Sequence, residues 1–490
     1  MAKAAIADLP GMIDTIRAEC AASNKVIVMD LLQIKGLSVK DARAAYQQLD
    51  GIVRNKIDQI YSPRGKLTTS IEYLSPSQKN ALKICAFIET KYPSLAKWIW
   101  TVWSLPHYHA TGDVLGYGNE KWEFNDGNPL AGSEYTYELL NRFIELGGVN
   151  NIDIRTWTIS DDTIMYLPTI ELATIAAREG QSYTQMGLTA QSSYVSLLEQ
   201  IRGRGGGNTT KASLAAQNSF KWDQPKYDVN NYGNGAAMRS GWIGAIRFCE
   251  DPQQTASHAT LSLSVITAMI THNSAIAIWG SVTAAFFTTL AIAKIPIAEW
   301  PSRLIKLIQL GTVSSIVREI KGASYQNDFL REQITFVAKW TEYIRLVLSP
   351  WQQGRDMASM TDIRKRYQFL KDNFSKDRSP AGSGGDDVCI FAYDSVLRSA
   401  GSLEKALVLA CCHPGDSDTV GCIAMSWFGG YYGSASTDRY FNRWRGQLLE
   451  LDDYDQTILD LIRSSHGIVE AYYRDLYRFW VNESLDEVLQ

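Results

Sequence analysis

The sequence predicts an all-α globule, and three observations predict it. Ala-rich or apolar segments with helical spacing cover residues 163–179, 258–293, 303–348, 387–412, 418–433 and 455–482. Strict polar–apolar alternation, the mark of a half-buried strand, is scarce. Clusters of Gly, Asp, Asn and Trp separate the apolar segments, which places polar loops at the starts of helices.

Taken in order, the first hundred residues read as helices without catalytic spacing. Residues 38–62 open on Ser38 as a cap and carry apolar residues at helical intervals. Residues 74–106 give one helix with a Ser-Pro start, then a short Trp-rich one closed by Pro106. Residues 1–104 are expected to be a helical extension that packs on, regulates or recruits something, and 105–490 the main domain. The texture changes at Gly112, where glycine and acidic residues become frequent. Residues 202–234 and 371–387 look like loops on composition.

Composition sets limits. A chain of 490 residues fits one large domain with an appendage, or two to three domains. A net charge of −4 offers no basic footprint for nucleic acid. The seven cysteines form no CxxC pair, which speaks against a disulfide framework or a zinc site and for a reducing compartment. The first twenty residues lack a long apolar run and carry Asp8, Asp14 and Glu19, unlike a secretory signal; a cytoplasmic location is expected. Residues 273–293 hold no formal charge over a membrane-spanning length. They are rich in Ala, Ser and Thr and lack a basic flank on the N-terminal side, so a buried helix is expected rather than a span.

Three acidic clusters can carry chemistry. Thr111–Phe124 holds Asp113, Glu120 and Glu123; Trp157–Thr163 holds Ser160, Asp161, Asp162 and Thr163; Gly415–Thr419 holds Asp416, Asp418 and Thr419. The last two each put adjacent carboxylates and a hydroxyl before a helix of small or apolar residues. Carboxylates this close do not all stay ionised in a partly buried place without a cation. Hard oxygens without a competing His or Cys pattern suit Mg²⁺, Mn²⁺ or Ca²⁺. One such cluster alone reads more readily as an N-cap; two in one chain shift the balance toward a shared metal site.

Two glycine-rich stretches suit a phosphate: Arg202–Thr210, and Gly233-Asn234-Gly235 before a small-residue helix. Neither is a Walker A loop or a dinucleotide fingerprint. His272 sits mid-helix among apolar residues, where a core histidine is the commoner outcome, and His413 precedes the third acidic cluster. Asp416-Ser417-Asp418-Thr419-Val420 also matches a haloacid-dehalogenase nucleophile loop. That loop ends the first strand of a doubly wound sheet, and here only helical sequence follows.

Together these motifs resemble the ADP-ribosylglycohydrolase family, and within it the ADP-ribosylarginine hydrolase branch. The resemblance rests on Gly112-Asp113-Val114-Leu115-Gly116 with Lys121-Trp122-Glu123-Phe124, on Trp157 with Ser160-Asp161-Asp162-Thr163, on Gly233–Arg239, on Thr271-His272 and on Gly415–Thr419. These occur in the family's order across about 105–435. The resemblance implies an all-α globule around two Mg²⁺ ions, or Mn²⁺, held by Ser160, Asp161, Asp162, Asp416, Asp418 and Thr419. It implies Asp161, Asp162, Glu123 and Asp416 as catalytic residues. It places Gly205, Gly206 and Gly207 on a diphosphate, and Gly233, Asn234, Gly235, Ala236, His272 and Trp122 around ADP-ribose. In two places the chain departs from the pattern: residues 1–104 precede the core, and the loop at 203–209 lacks the arginine branch's proline.

The implied function is metal-dependent hydrolysis of the bond between ADP-ribose and arginine of a modified protein, with that protein as substrate and ADP-ribose as product. The alternatives are a serine-linked substrate, or an ADP-ribose- or partner-binding protein that acts through its N-terminal helices.

Overall fold

The computed structural model describes residues 93–125, 134–179, 181–217, 221–245, 257–355, 360–375, 380–433 and 448. The helices expected at 38–62 and 455–482 and the first helix of 74–106 lie outside the described residues. The described chain is helical. The longer helices are α1 (Pro93–Tyr117), α2 (Tyr135–Glu145), α3 (Asp161–Glu179), α4 (Tyr183–Val195), α5 (Asn208–Ala216), α6 (His258–Met269) and α7 (Ala275–Ile292). They continue with α8 (Trp300–Gln309), α9 (Thr312–Lys321), α10 (Ala323–Tyr343), α11 (Ile363–Phe374), α12 (Asp387–Ser399), α13 (Leu403–Cys411) and α14 (Ser417–Tyr432). Among the described residues no strand forms, and one antiparallel bridge joins Gly233 to Gly384.

The core is built around α7, in which every residue is buried. Ser274 starts it by accepting a hydrogen bond from the Ala277 N–H at 3.2 Å. Its length and apolar character would suffice to cross a membrane, and protein covers it on all sides. Small residues let α6, α10 and α14 pack against it. Phe287 anchors the contact, with ring centroids 5.1–5.8 Å from Trp300, Trp340, Tyr393 and Trp427. Each fully buried aromatic of this kind stabilises the fold by roughly 1.5–3 kcal/mol.

One expectation is corrected in α1. Pro106 does not close a helix; it lies inside one that runs on to Tyr117. The proline ring removes one hydrogen bond, at about 3 kcal/mol in an isolated helix. From Ser104 to Gly118, however, every residue is buried, so packing holds the helix together. Gly112, where the composition changes, therefore still belongs to this helix. It sits in the last turns of α1, where a Cβ would meet the Gly421 carbonyl at 2.2 Å, and Gly116 meets Ser417 O at the same distance. The two glycines let α1 and α14 touch backbone to backbone. Ser417 Oγ donates to Gly116 O at 2.8 Å across the contact. This crossing brings the end of α1 to the start of α14, where the carboxylates lie.

The two segments read as loops are also partly helical. Residues 208–216 form α5, and 363–374 form α11.

Candidate metal and substrate site

Each acidic segment is placed by a different helix end. Asp113, on α1 and fully buried, accepts hydrogen bonds from the Ser160 N–H (3.1 Å) and the Thr163 N–H (3.2 Å), and from the Thr163 hydroxyl. One carboxylate thus holds the start of α3 against α1. Ser160 Oγ caps α3 by accepting from the Asp162 N–H at 3.1 Å. Asp161 donates its N–H to Arg204 O at 2.8 Å, and Arg204 Nη1 returns to Ile159 O at 2.8 Å. The glycine-rich loop is therefore stitched to the Asp161-Asp162 pair.

Asp416 stands at the N-cap position of α14 yet makes no capping bond. Its N–H donates to Ala381 O at 2.9 Å, and Asn234 Nδ2 donates to its Oδ2 at 3.0 Å and to Gly382 O at 2.9 Å. Asp418 Oδ1 accepts from the Thr419 N–H at 2.7 Å. Glu123 arrives from beyond α1, where Gly118, Asn119 and Glu120 turn the chain with φ of 51°, 54° and 66°. Asn119 Oδ1 accepts from the Thr158 N–H at 2.9 Å, and the N–H groups of Phe124 and Asn125 donate to Gly415 O and Pro414 O at 3.0 and 2.8 Å. Those bonds set Glu123 beside the Asp416 segment.

Glu123, Asp416 and Asp418 each offer an oxygen within 4.8 Å of the others. Glu123, expected among the catalytic acids, thus groups most tightly with two expected metal ligands. Asp161 and Asp162 face this trio closely enough to perturb it. Burial, then Asp418 and Asp161, pushes Asp162 well above the usual carboxylate range. Burial, then Asp113 and Asp416, raises Asp161 to about 8. Burial, then Asp418, raises Asp416 and Glu123. Burial raises Asp418 and Asp113 to about 6.

None of the five site carboxylates has an ion-pair partner among the described residues. Glu123 Oε2 and Asp416 Oδ1 are buried without any hydrogen-bond partner. Five buried carboxylates either hold protons or surround cations. Orphaned hard oxygens fit a divalent metal of the Mg²⁺, Mn²⁺ or Ca²⁺ kind.

The other expected residues gather alongside. A methyl on Gly205 (φ 81°) would stand 3.2 Å from the Tyr117 ring, 3.6 Å from Glu123 Oε1 and 3.7 Å from Asp161 Oδ1. Gly206 packs on Ile201 O, and Gly207 precedes α5 without a side-chain cap, leaving the first-turn N–H groups of α5 open. His272, expected mid-helix, lies instead in the connection between α6 and α7, because the helical segment breaks after Met269. Gly233 and Gly235 lie under its ring, and Gly235 also faces Thr210 Oγ1 of α5. Ala236 is buried in the turn that follows. Trp122 is buried and packs edge to face on Trp157, centroids 5.4 Å apart. His413 stacks on Tyr367 and accepts from the Gly415 N–H at 3.3 Å.

Several residues that shape the site were not singled out for it in the sequence. Asp387 accepts from the N–H groups of Gly382 (2.9 Å) and Gly384 (2.8 Å), so residues 380–385 form a shelf under Asp416 and Asn234. The neighbouring Asp386 pairs with Lys339 at 2.8 Å. Asp386-Asp387 has the same form as the other acidic pairs, but its oxygens are satisfied by the protein. Cys422 Sγ donates to Asp162 Oδ2 at 3.4 Å. Asp113, by contrast, belongs to the first acidic cluster of the sequence, and its role here is to hold the start of α3 against α1.

Comparison with known proteins adds a family to this geometry. A protein of Acanthamoeba polyphaga mimivirus, provisionally named ADP-ribosyl glycohydrolase L444, is 36% identical over 383 residues, 77% of this chain and 72% of its own. ADP-ribosylhydrolase ARH1 of Dictyostelium discoideum is 28% identical over 348 residues, 66% of this chain and 84% of its own. A solved structure titled ADP-ribosylglycohydrolase-related protein complex aligns over 76% of this chain and 99% of that chain at 15% identity, with a TM-score of 0.41. The family model described as ADP-ribosylglycohydrolase matches residues 109–474, a span that takes in all three acidic clusters and both glycine-rich stretches. With three quarters of its length accounted for in that way, the chain belongs to the ADP-ribosylglycohydrolase family, hydrolases of ADP-ribosyl glycosidic bonds.

Proposed function

We propose that the protein removes ADP-ribose from arginine side chains of modified proteins, with two bound Mg²⁺ ions, or Mn²⁺, at the carboxylate cluster. The observation that carries this reading is the set of five buried carboxylates with two orphaned oxygens, Glu123 Oε2 and Asp416 Oδ1. Ser160, Asp161, Asp162, Asp416, Asp418 and Thr419 would hold the ions, with Glu123 as a further oxygen donor. Such ions supply positive charge to a ribose diol and to a water.

The chain's own residues do the rest. In the overall reaction water adds at the ribose carbon, the carbon–nitrogen bond breaks, and the departing guanidine nitrogen keeps a proton that the water supplied. Asp161 and Glu123 each have an oxygen within 3.7 Å of where a methyl on Gly205 would stand, and would hand on that proton. Gly205, Gly206, Gly207 and the first turn of α5 would receive the diphosphate. Gly233, Asn234, Gly235, Ala236 and His272 would border the ADP-ribose. Trp122 would support the cleft through Trp157. The exposed Glu120 at the rim, together with the Trp122-Glu123-Phe124 sequence, favours a cationic arginine over a serine as the leaving side.

The test is linkage-resolved hydrolysis. Protein carrying arginine-, serine- or acid-linked ADP-ribose is incubated with Mg²⁺ or with EDTA, and released ADP-ribose is measured. Arginine-linked substrate should be cleaved only with metal, and Asp161→Ala and Asp416→Ala should abolish turnover. Folded protein that releases no ADP-ribose in a metal-dependent way would overturn the reading.

A further inference from the structure

Arg239 is an unusual residue for the place it occupies. It sits in the short helix Ala237–Ser240 and is fully buried, with its guanidinium 4.6 Å from the centre of the Tyr194 ring. No carboxylate among the described residues forms an ion pair with it. Instead Nη1 donates to Gly235 O at 2.7 Å, and Nη2 donates to Thr267 O and to Thr271 Oγ1, both at 2.7 Å. Thr271 Oγ1 in turn lies 2.8 Å from His272 Nδ1.

We propose that Arg239 and Thr271 are positioning residues that fix His272 with its proton on Nε2, so that the ring presents one N–H donor to a diphosphate oxygen over Gly233 and Gly235. The proposal rests on the reading that ADP-ribose occupies this cleft.

The direction of the relay follows from counting protons. A guanidinium can only donate, so Thr271 Oγ1 accepts from Arg239. The hydroxyl has one hydrogen of its own, is fully buried, and has no acceptor among the described residues other than His272 Nδ1. Were Nδ1 protonated, that hydrogen would be buried without a partner, at about 1–3 kcal/mol. Nδ1 therefore accepts, and the neutral ring carries its proton on Nε2. Burial and the nearby Arg239 charge hold the ring neutral, with its pKa lowered to about 3.

The other face of the ring points to a ligand. Nε2 has no protein partner among the described residues, although His272 is only 2% exposed. A methyl on Gly233 would stand 3.0 Å from Nε2, and one on Gly235 2.8 Å from Cε1, so glycine at both positions keeps the ring's edge open. Gly235 also faces Thr210 at the start of α5, whose first-turn N–H groups are uncapped. A neutral imidazole donor and a helix N-terminus on one wall suit an anionic oxygen.

The experiment compares wild type with Thr271→Val and Thr271→Ser. Nitrogen-15 correlation spectra of the histidine side chains report which nitrogen of His272 is protonated, without substrate or metal. Wild type and Thr271→Ser should show a protonated Nε2 and an acceptor Nδ1, and Thr271→Val should show a mixture. Calorimetry should find ADP-ribose bound about tenfold more weakly by Thr271→Val, with Thr271→Ser restored. On substrate the Thr271→Val loss should appear in KM rather than kcat. A protonated Nδ1 in wild type, or unchanged ADP-ribose affinity in Thr271→Val, overturns the relay. Failure of wild type to bind ADP-ribose overturns the functional reading instead, while the spectra still decide the tautomer.

Discussion

At the scale of single residues, Gly205 shows how little room the cleft leaves. Its φ of 81° lies where an L side chain is strained by roughly 1–2 kcal/mol. A methyl there would also reach the space between Tyr117, Glu123 and Asp161. Gly205→Ala should fold, melt a few degrees lower, and lose about 10- to 100-fold in kcat/KM through displaced substrate. Normal kcat/KM in that variant would mean that nothing productive passes over Gly205. Asp113 acts at one remove, since it holds the loop that bears Ser160, Asp161 and Asp162. Asp113→Asn turns one acceptor oxygen into a donor facing two N–H groups and a hydroxyl. It should destabilise the fold by about 1–3 kcal/mol and weaken divalent-metal affinity about 10- to 100-fold, measured by calorimetry. Unchanged metal affinity would reduce Asp113 to a packing residue.

At the scale of elements, the acidic chemistry was legible and its scaffold was not. Ser160–Thr163 and Asp416–Thr419 stood out because carboxylates beside apolar helices are costly unless something compensates them, and the fold does bring the two segments together. The length of α1 was hidden, because Pro106 is a local stop signal that burial on all sides overrides. Residues 380–385 were hidden for the opposite reason. Their glycines look like a linker, yet Asp387 ties their N–H groups into a shelf for Asp416. Gly112 and Gly116 were noticed as motif residues, but their reason is contact between two helix backbones. Gly112→Ala would press a methyl to within 2.2 Å of Gly421 O. Separating α1 from α14 should cost about 1–3 kcal/mol or more and shift Asp416 and Asp418 with it. Thermal melting and metal titration should therefore fail together in Gly112→Ala. Loss of stability with intact metal affinity would show that the crossing does not position the site.

At the scale of the whole molecule, the buried carboxylates make stability depend on pH and on divalent cations together. Asp161 is raised to about 8, and Asp113 and Asp418 to about 6, from an ordinary value near 3.8. A group raised in this way binds more protons folded than unfolded, so its contribution is present below the unfolded pKa and is lost as pH climbs. Metal-free protein should therefore lose stability from about pH 4 upward through pH 8, where carboxylates that burial keeps protonated must ionise against one another. A divalent cation reverses the effect by taking the place of those protons, and its affinity rises with pH because it competes with fewer of them. Melting in EDTA should show Tm falling between pH 5.5 and 8, and the gain from added Mg²⁺ should be larger at pH 8 than at pH 5.5. Calorimetry in buffers of different ionisation enthalpy should find protons released as Mg²⁺ binds at pH 7. A Tm in EDTA that rises through this window, with no proton release on binding, would mean that the carboxylate cluster is neither proton-loaded nor a cation site.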